Sequence, residues 1–193
     1  MQEKVEGKNE ILELLRNFIS EKKIVSIFSE PEKTYRFSSG YVVAVTDALV
    51  LMALLDPSGK YFGFGTFVSK DIYSIEYDGK YGKKLAILHT INERKHADIE
   101  LLTGDVILDI LTFAHNNALI VTIEMHASEL DDYQGFVTGI GDGVLTLKAI
   151  DRYGVHDGFA ALNIRDITHI FCDTDSEASL KQIHDFRYLG KNN

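Results

Sequence analysis

Slid along itself by 95 residues, the chain brings Gly40 onto Gly135 and stays in step without a gap through position 78. In that register Val42 meets Val137, Asp47 meets Asp142, Asp56 meets Asp151, Gly59 meets Gly154, Gly63 meets Gly158 and Phe64 meets Phe159. Asp71, Ile72, Ile75 and Asp78 then fall on Asp166, Ile167, Ile170 and Asp173. Eleven of the 39 positions from 40 to 78 are identical, where unrelated segments would share roughly two or three. A repeat of this kind leaves few folds open, because each copy must be a unit that the same pattern can build twice.

Conservative pairs extend the match: Tyr41 with Phe136, Val45 with Ile140, Leu55 with Ile150, Phe67 with Leu162 and Lys70 with Arg165. Upstream, the same register carries Phe18 onto Phe113 and Ile11 onto Val106, so the unit includes a leading helix. In the first copy Ile11, Leu14, Leu15, Phe18 and Ile19 recur at helical spacing, with Asn9 placed as an N-cap. In the second, Asp105 is placed to cap a more apolar helix that ends at Asn116-Asn117.

After each helix the period changes to that of a strand, over residues 24–28 and 119–125. A polar stretch follows, then a Gly that opens a long strand, GYVVAV or GFVTGI. The chain turns at Thr46-Asp47-Ala48 or Gly141-Asp142-Gly143 and returns as LVLMALL or VLTLKAI, Asp-Gly between apolar runs being a strong hairpin signal. Asp56 to Gly59 and Asp151 to Gly154 place Asp first and Gly last, as a type I turn prefers. A fourth strand and a short fifth, entered by a D-I-x-x-I turn, complete each copy.

The expected fold class is therefore α+β, mainly β with leading helices. Two five-stranded small barrels of the SH3-like or Sm-like kind follow in tandem, because five short strands bury their apolar face best by curling. The copies span residues 1–96 and 97–193. Between them Leu85 to Ile91 reads as an added strand with no copy at the end of the chain, flanked by Lys80, Lys83, Lys84, Arg94 and Lys95. Residues 176–186 read as a short C-terminal helix with Leu180, Ile183 and Phe186 on one face.

The formal charge of −9 belongs to the second half, since residues 1–98 hold 14 basic and 14 acidic side chains and the remainder 6 and 15. Bulk coating of a polyanion is thereby disfavoured, although a local basic face remains open. No apolar run reaches the roughly 20 residues that span a bilayer, and the first ten residues lack the apolar core of a secretory signal. With one cysteine, Cys172, in a strand pattern, the expectation is a cytoplasmic protein with no membrane partner.

Helix then five strands, with Gly40 and Asp47 and the Asp71-Ile72…Ile75 close in one copy, resembles the Sm-like (LSm) fold. Gly135, Asp142 and Asp166-Ile167…Ile170 repeat the resemblance in the other, so it covers both halves. It implies a single-stranded RNA pocket built on the Asp turn, an Asn shortly after it, and an Arg-Gly pair before the last strand. Here Val50, Leu51, Leu145 and Thr146 stand at the Asn location and the Arg-Gly pair is missing. The resemblance also implies barrels joined edge to edge, so that three chains would make a six-barrel ring.

The candidate ligand or RNA contacts are accordingly Asp47, Tyr61 and Lys70 in the first copy and Asp142, His156 and Arg165 in the second. Each has an ordinary structural role beside the functional one: Asp in a turn, an aromatic ring in packing, a solvated cation. Asp71 and Asp166 read as caps of the turn before the last strand. The seven histidines show no metal-ligand spacing, and no G-x-S-x-G, H-E-x-x-H or P-loop pattern occurs. No cofactor, metal or catalytic constellation is expected. The reading is a non-enzymatic binding or assembly protein with RNA, its own copies or a protein scaffold partner as ligand.

Overall fold

The leading helix α1 (Glu3–Glu21) buries Leu12, Leu15 and Phe18 at three-residue spacing. Leu14 and Ile19 are exposed, so the buried stripe is narrower than the periodicity alone implies. The helix also begins before Asn9, within a Glu- and Lys-rich run of good helix formers. It ends at Lys22 in the left-handed region (φ 48°), and the amides of Lys22 and Lys23 donate back to the carbonyls of Ile19 and Phe18. That is a Schellman close made by lysine rather than glycine. This computed structural model describes residues 3–33 (side chains from Glu10), 35–92, 96–125, 133–188 and 190. Arg94, Lys95 and most of the polar stretch before the second copy's long strand lie outside them.

The chain divides into two compact units, Met1–Asp98 and Ile99–Asn193. In unit 1, α1 is followed by β1 (Ile24–Phe28), β2 (Ser38–Val45), β3 (Leu49–Leu55), β4 (Tyr61–Val68), β5 (Ser74–Tyr77) and helix α2 (Lys80–Ile91). In unit 2, α3 (Val106–Asn116) leads β6 (Ile120–Met125), β7 (Tyr133–Gly141), β8 (Val144–Ile150), β9 (His156–Asn163), β10 (Ile167–Cys172) and α4 (Asp175–Tyr188). All ladders described within the units are antiparallel, in the order β5-β1-β2-β3-β4 and β10-β6-β7-β8-β9. The class is α+β. Neither five-stranded sheet closes on itself, since β4 and β5 share no ladder and neither do β9 and β10.

The repeat extends to details of backbone geometry. The β2–β3 ladder slips between Val42 and Ala44, and the β7–β8 ladder slips between Val137 and Gly139, 95 residues on. A Cβ on Gly40 would fall 2.1 Å from the Ala53 carbonyl oxygen, and one on Gly135 would fall 2.3 Å from that of Lys148. The shared glycine therefore lets the long strand press onto its neighbour. Ala118 (φ 48°) closes α3 with the same paired amides as Lys22, so the left-handed residue follows the Asn pair rather than belonging to it. Asp105 caps α3 as expected, its Oδ1 accepting from the amides of Ile107 (2.9 Å) and Leu108 (3.3 Å).

A further expectation is overturned. Leu85–Ile91 is not a strand but the second half of α2, and it has a copy, α4. A short apolar run does not distinguish strand from helix by period alone, and what decides it here is burial of Leu85 and His89 four residues apart. Leu85 packs with Ile24, Leu55, Tyr41 and Tyr81, while Leu180 packs with Ile120, Ile150 and Phe136. His89 Nδ1 lies 3.1 Å from the Gly59 carbonyl oxygen and His184 Nδ1 lies 3.1 Å from that of Gly154. Since a carbonyl only accepts, both histidines carry the proton on Nδ1 in this arrangement.

Candidate functional site

The six candidate residues separate to opposite ends of each unit. The turn holding Asp47 is bonded to the 3-10 turn Ser69–Asp71, with the Ser69 amide donating to Ala48 O (2.9 Å) and its hydroxyl to Thr46 O (3.0 Å). Asp47 and Lys70 therefore come to one end. In unit 2 the amide of Ile164, opening the 3-10 turn Ile164–Asp166, donates to Gly143 O (2.9 Å) and brings Arg165 to the turn of Asp142. The side chain that caps this 3-10 turn is Asn163, which accepts from the Arg165 amide, rather than Asp166.

Asp47 is ion-paired with Arg16 of α1 at 2.9 Å, on an exposed surface where such a pair adds little stability. Asp142 sits at φ 52°, a backbone position that Asp tolerates better than most residues. Lys70 and Arg165 are both exposed. Tyr61 and His156 lie at the far ends of β4 and β9, opposite Leu55 and Ile150 in the ladders. Tyr61 is buried, its ring 4.5 Å from that of His96 and 6.4 Å from that of Phe64. His156 is exposed and meets Phe159 edge-on at 5.1 Å.

Equivalent strands thus present different surfaces. Phe64 is 1% exposed, whereas Phe159, the same residue in the repeat, is 70% exposed. In unit 1 the stretch after α2 lays His96 against Tyr61 and Phe64, with His96 Nε2 2.7 Å from Leu54 O. β9 is exposed along most of its length, and it pairs only with β8 among the described residues.

A second feature escapes a motif search. Four rings run across one side of unit 1: Tyr73 to Phe28 at 6.3 Å, Phe28 to Phe37 at 5.3 Å, and Phe37 to Tyr81 at 5.5 Å. Phe37 and Tyr73 are 44% and 40% exposed. A cavity of about 220 Å³ opens beside them, lined by Phe37, Leu54, Asp56, Pro57, Phe62 and Tyr81. Burial, aided by Asp56, raises the Tyr81 hydroxyl above its ordinary pKa of 10.0. The signal that finds this face is the comparison of the two copies, in which Phe62 aligns with Asp157 and Tyr81 with Ser176.

Unit 2 carries instead a buried polar cluster. Thr122 donates to Glu177 Oε1 (2.6 Å), while Glu177 Oε2 accepts from the Thr174 amide (3.0 Å) and from the Thr174 hydroxyl. The amide contact is the carboxylate half of a capping box at the start of α4, and the Thr174 hydroxyl in turn accepts from the Ser176 amide. His169 Nδ1 lies 3.0 Å from Glu124 Oε2, within ion-pair distance but off the direction of a good hydrogen bond. His169 holds the Glu124 carboxyl below its ordinary value of 4.5 despite partial burial. Burial pushes the Cys172 thiol far up, assisted by Asp173 and Glu177.

Among the described residues no group of three or more His, Cys, Asp or Glu side chains is placed to hold a metal ion. No described helix is long and apolar enough to cross a membrane. Comparison with protein-family models, with curated proteins and with solved structures finds no match for the chain.

Proposed function

We propose that the chain is a non-enzymatic tandem binding and assembly protein of the Sm-like type, each unit a strongly bent five-stranded sheet, and that copies join through β9. The observation that carries this reading is the exposure of β9 with Phe159 on it. An exposed strand edge with an apolar ring is a template for pairing with another chain, and natural proteins otherwise blunt such edges. β5, at the other end of unit 1's strand order, is the complementary edge offered by a second copy. Head-to-tail joining of this kind closes into a ring when the rotation permits, and three chains would supply six units.

Light scattering after size exclusion tests the assembly. The wild-type chain is expected to run as an oligomer at micromolar concentration and Phe159→Lys as a monomer, while a wild-type chain that stays monomeric contradicts the reading. A second reading, single-stranded RNA binding, is supported by the placement of Lys70 and Arg165 beside the Asp47 and Asp142 turns in both units. Filter binding of short A-rich and U-rich RNAs at two salt concentrations tests it, and no binding even at low salt favours a protein scaffold instead.

A further inference from the structure

The two copies serve as controls for each other. Both build the same five strands and flanking helices, so a side chain present in one and absent from its counterpart is not demanded by the fold. On the aromatic side of unit 1, Phe28 corresponds to Glu124, since β1 and β6 stand opposite Ser74 and His169 in equivalent ladders. At the 95-residue offset Phe37 corresponds to Asp132, Phe62 to Asp157, Tyr73 to Thr168 and Tyr81 to Ser176. Unit 2 has replaced every ring in the row with a polar or acidic residue.

Charge changes with the rings. α2 opens with Lys80, Lys83 and Lys84 and has no acid in its first turn, whereas α4 has Asp175 and Glu177 there. The counterparts of the three lysines are Asp175, Ala178 and Ser179. Lysines at a helix start oppose the helix dipole, so α2 carries them at a cost that α4 avoids. Lys84 lies three residues after Tyr81 on the same helix surface, and Lys80 lies four residues before Lys84. Nearby acids are engaged elsewhere: Asp56 Oδ1 accepts from the amides of Ser58 and Lys60, and Glu30 pairs with Lys33 and Arg36.

Rings and cations lost together are what a ligand with flat apolar faces and negative charge would require. Exposed rings take unpaired bases by stacking, and lysines beside them follow the phosphates. The contacts within the row are tilted or edge-on rather than stacked, with Phe37 and Tyr81 at 87°. From this coupled difference we infer that unit 1 binds single-stranded nucleic acid across Tyr73, Phe28, Phe37 and Tyr81, with the phosphates passing Lys80, Lys83 and Lys84. The ligand class rests on the RNA reading above, but the site differs from the Lys70 and Arg165 turns.

Fluorescence anisotropy of the full chain tests this with labelled U-rich and A-rich RNA and DNA of roughly 12 nucleotides, within the usual span of such sites. Phe37→Asp, which installs the residue of the other copy, is expected to weaken binding about tenfold, the loss of one stacked base. The combined Lys80→Asp, Lys83→Ala and Lys84→Ser variant is expected to flatten the dependence of log affinity on log salt by about two to three phosphate contacts. Lys70→Ser, at the separate turn, is expected to cost no more than the loss of one phosphate contact. A thermal melt checks folding, and Phe37→Leu replaces Phe37→Asp if the latter is not folded. Binding that Lys70→Ser abolishes and the other variants leave intact overturns this inference while sparing the RNA reading. No oligonucleotide binding by the wild type overturns both.

Discussion

At single residues, the stability of the fold depends on atoms that have no room or no solvent. Gly40→Ala places a methyl group against the Ala53 carbonyl oxygen, at 2.1 Å for an unmoved backbone. The strand must then shift, and a loss of about 2 kcal/mol or more is expected in urea unfolding. Gly135→Ala is expected to behave alike. Cys172 is buried, with its thiol pKa raised by that burial, so it should react with a thiol reagent only as fast as the native chain opens. Reaction of the folded chain at the rate of a free thiol would contradict its placement. Glu124 has a depressed pKa in the folded state, so its contribution is present above the ordinary value of 4.5 and is lost as pH falls through the lower folded value. Unfolding midpoints measured across acidic pH should fall less steeply for Glu124→Gln than for the wild type.

Elements were legible where a short pattern decides them. Asp105 could be read as a cap because a carboxylate before an apolar helical run has few other roles, and the strands around Asp47 and Asp142 follow from apolar runs on either side of turn residues. Helix α2 was not legible, because Leu85–Ile91 is too short and apolar to reveal its period, although the 95-residue offset carried past position 78 aligns Leu85 with Leu180 and His89 with His184. The aromatic row was hidden for another reason: Phe28, Phe37, Tyr73 and Tyr81 are scattered along the chain and meet only across the folded sheet. The two terminal helices also differ in how they start. Gly79 gives α2 no side-chain cap, while Glu177 and Thr174 cap α4 and bury a carboxylate that Thr122 satisfies. Glu177→Ala is expected to destabilise the chain by roughly 1–3 kcal/mol, since it removes a cap and leaves the Thr122 hydroxyl without its acceptor.

For the whole molecule, duplication explains both likeness and division of labour. Each unit keeps the elements that its core requires, and the copies diverge where the core does not reach: rings and lysines on unit 1, an open strand edge and acidic surface on unit 2. The proposed ring and the proposed nucleic-acid face use different residues, so Phe159→Lys should dissociate the oligomer without abolishing oligonucleotide binding by each chain. Assembly and binding of this kind both require that each unit join its own last strand to its own first. Cross-strand nuclear Overhauser effects in the full-length chain test this directly. Contacts are expected between Val25 and Tyr77 and between Val121 and Cys172, the paired positions of the two closing ladders. Contacts joining Val25 to Cys172 or Val121 to Tyr77 would mean that the copies exchange strands, and would contradict the account.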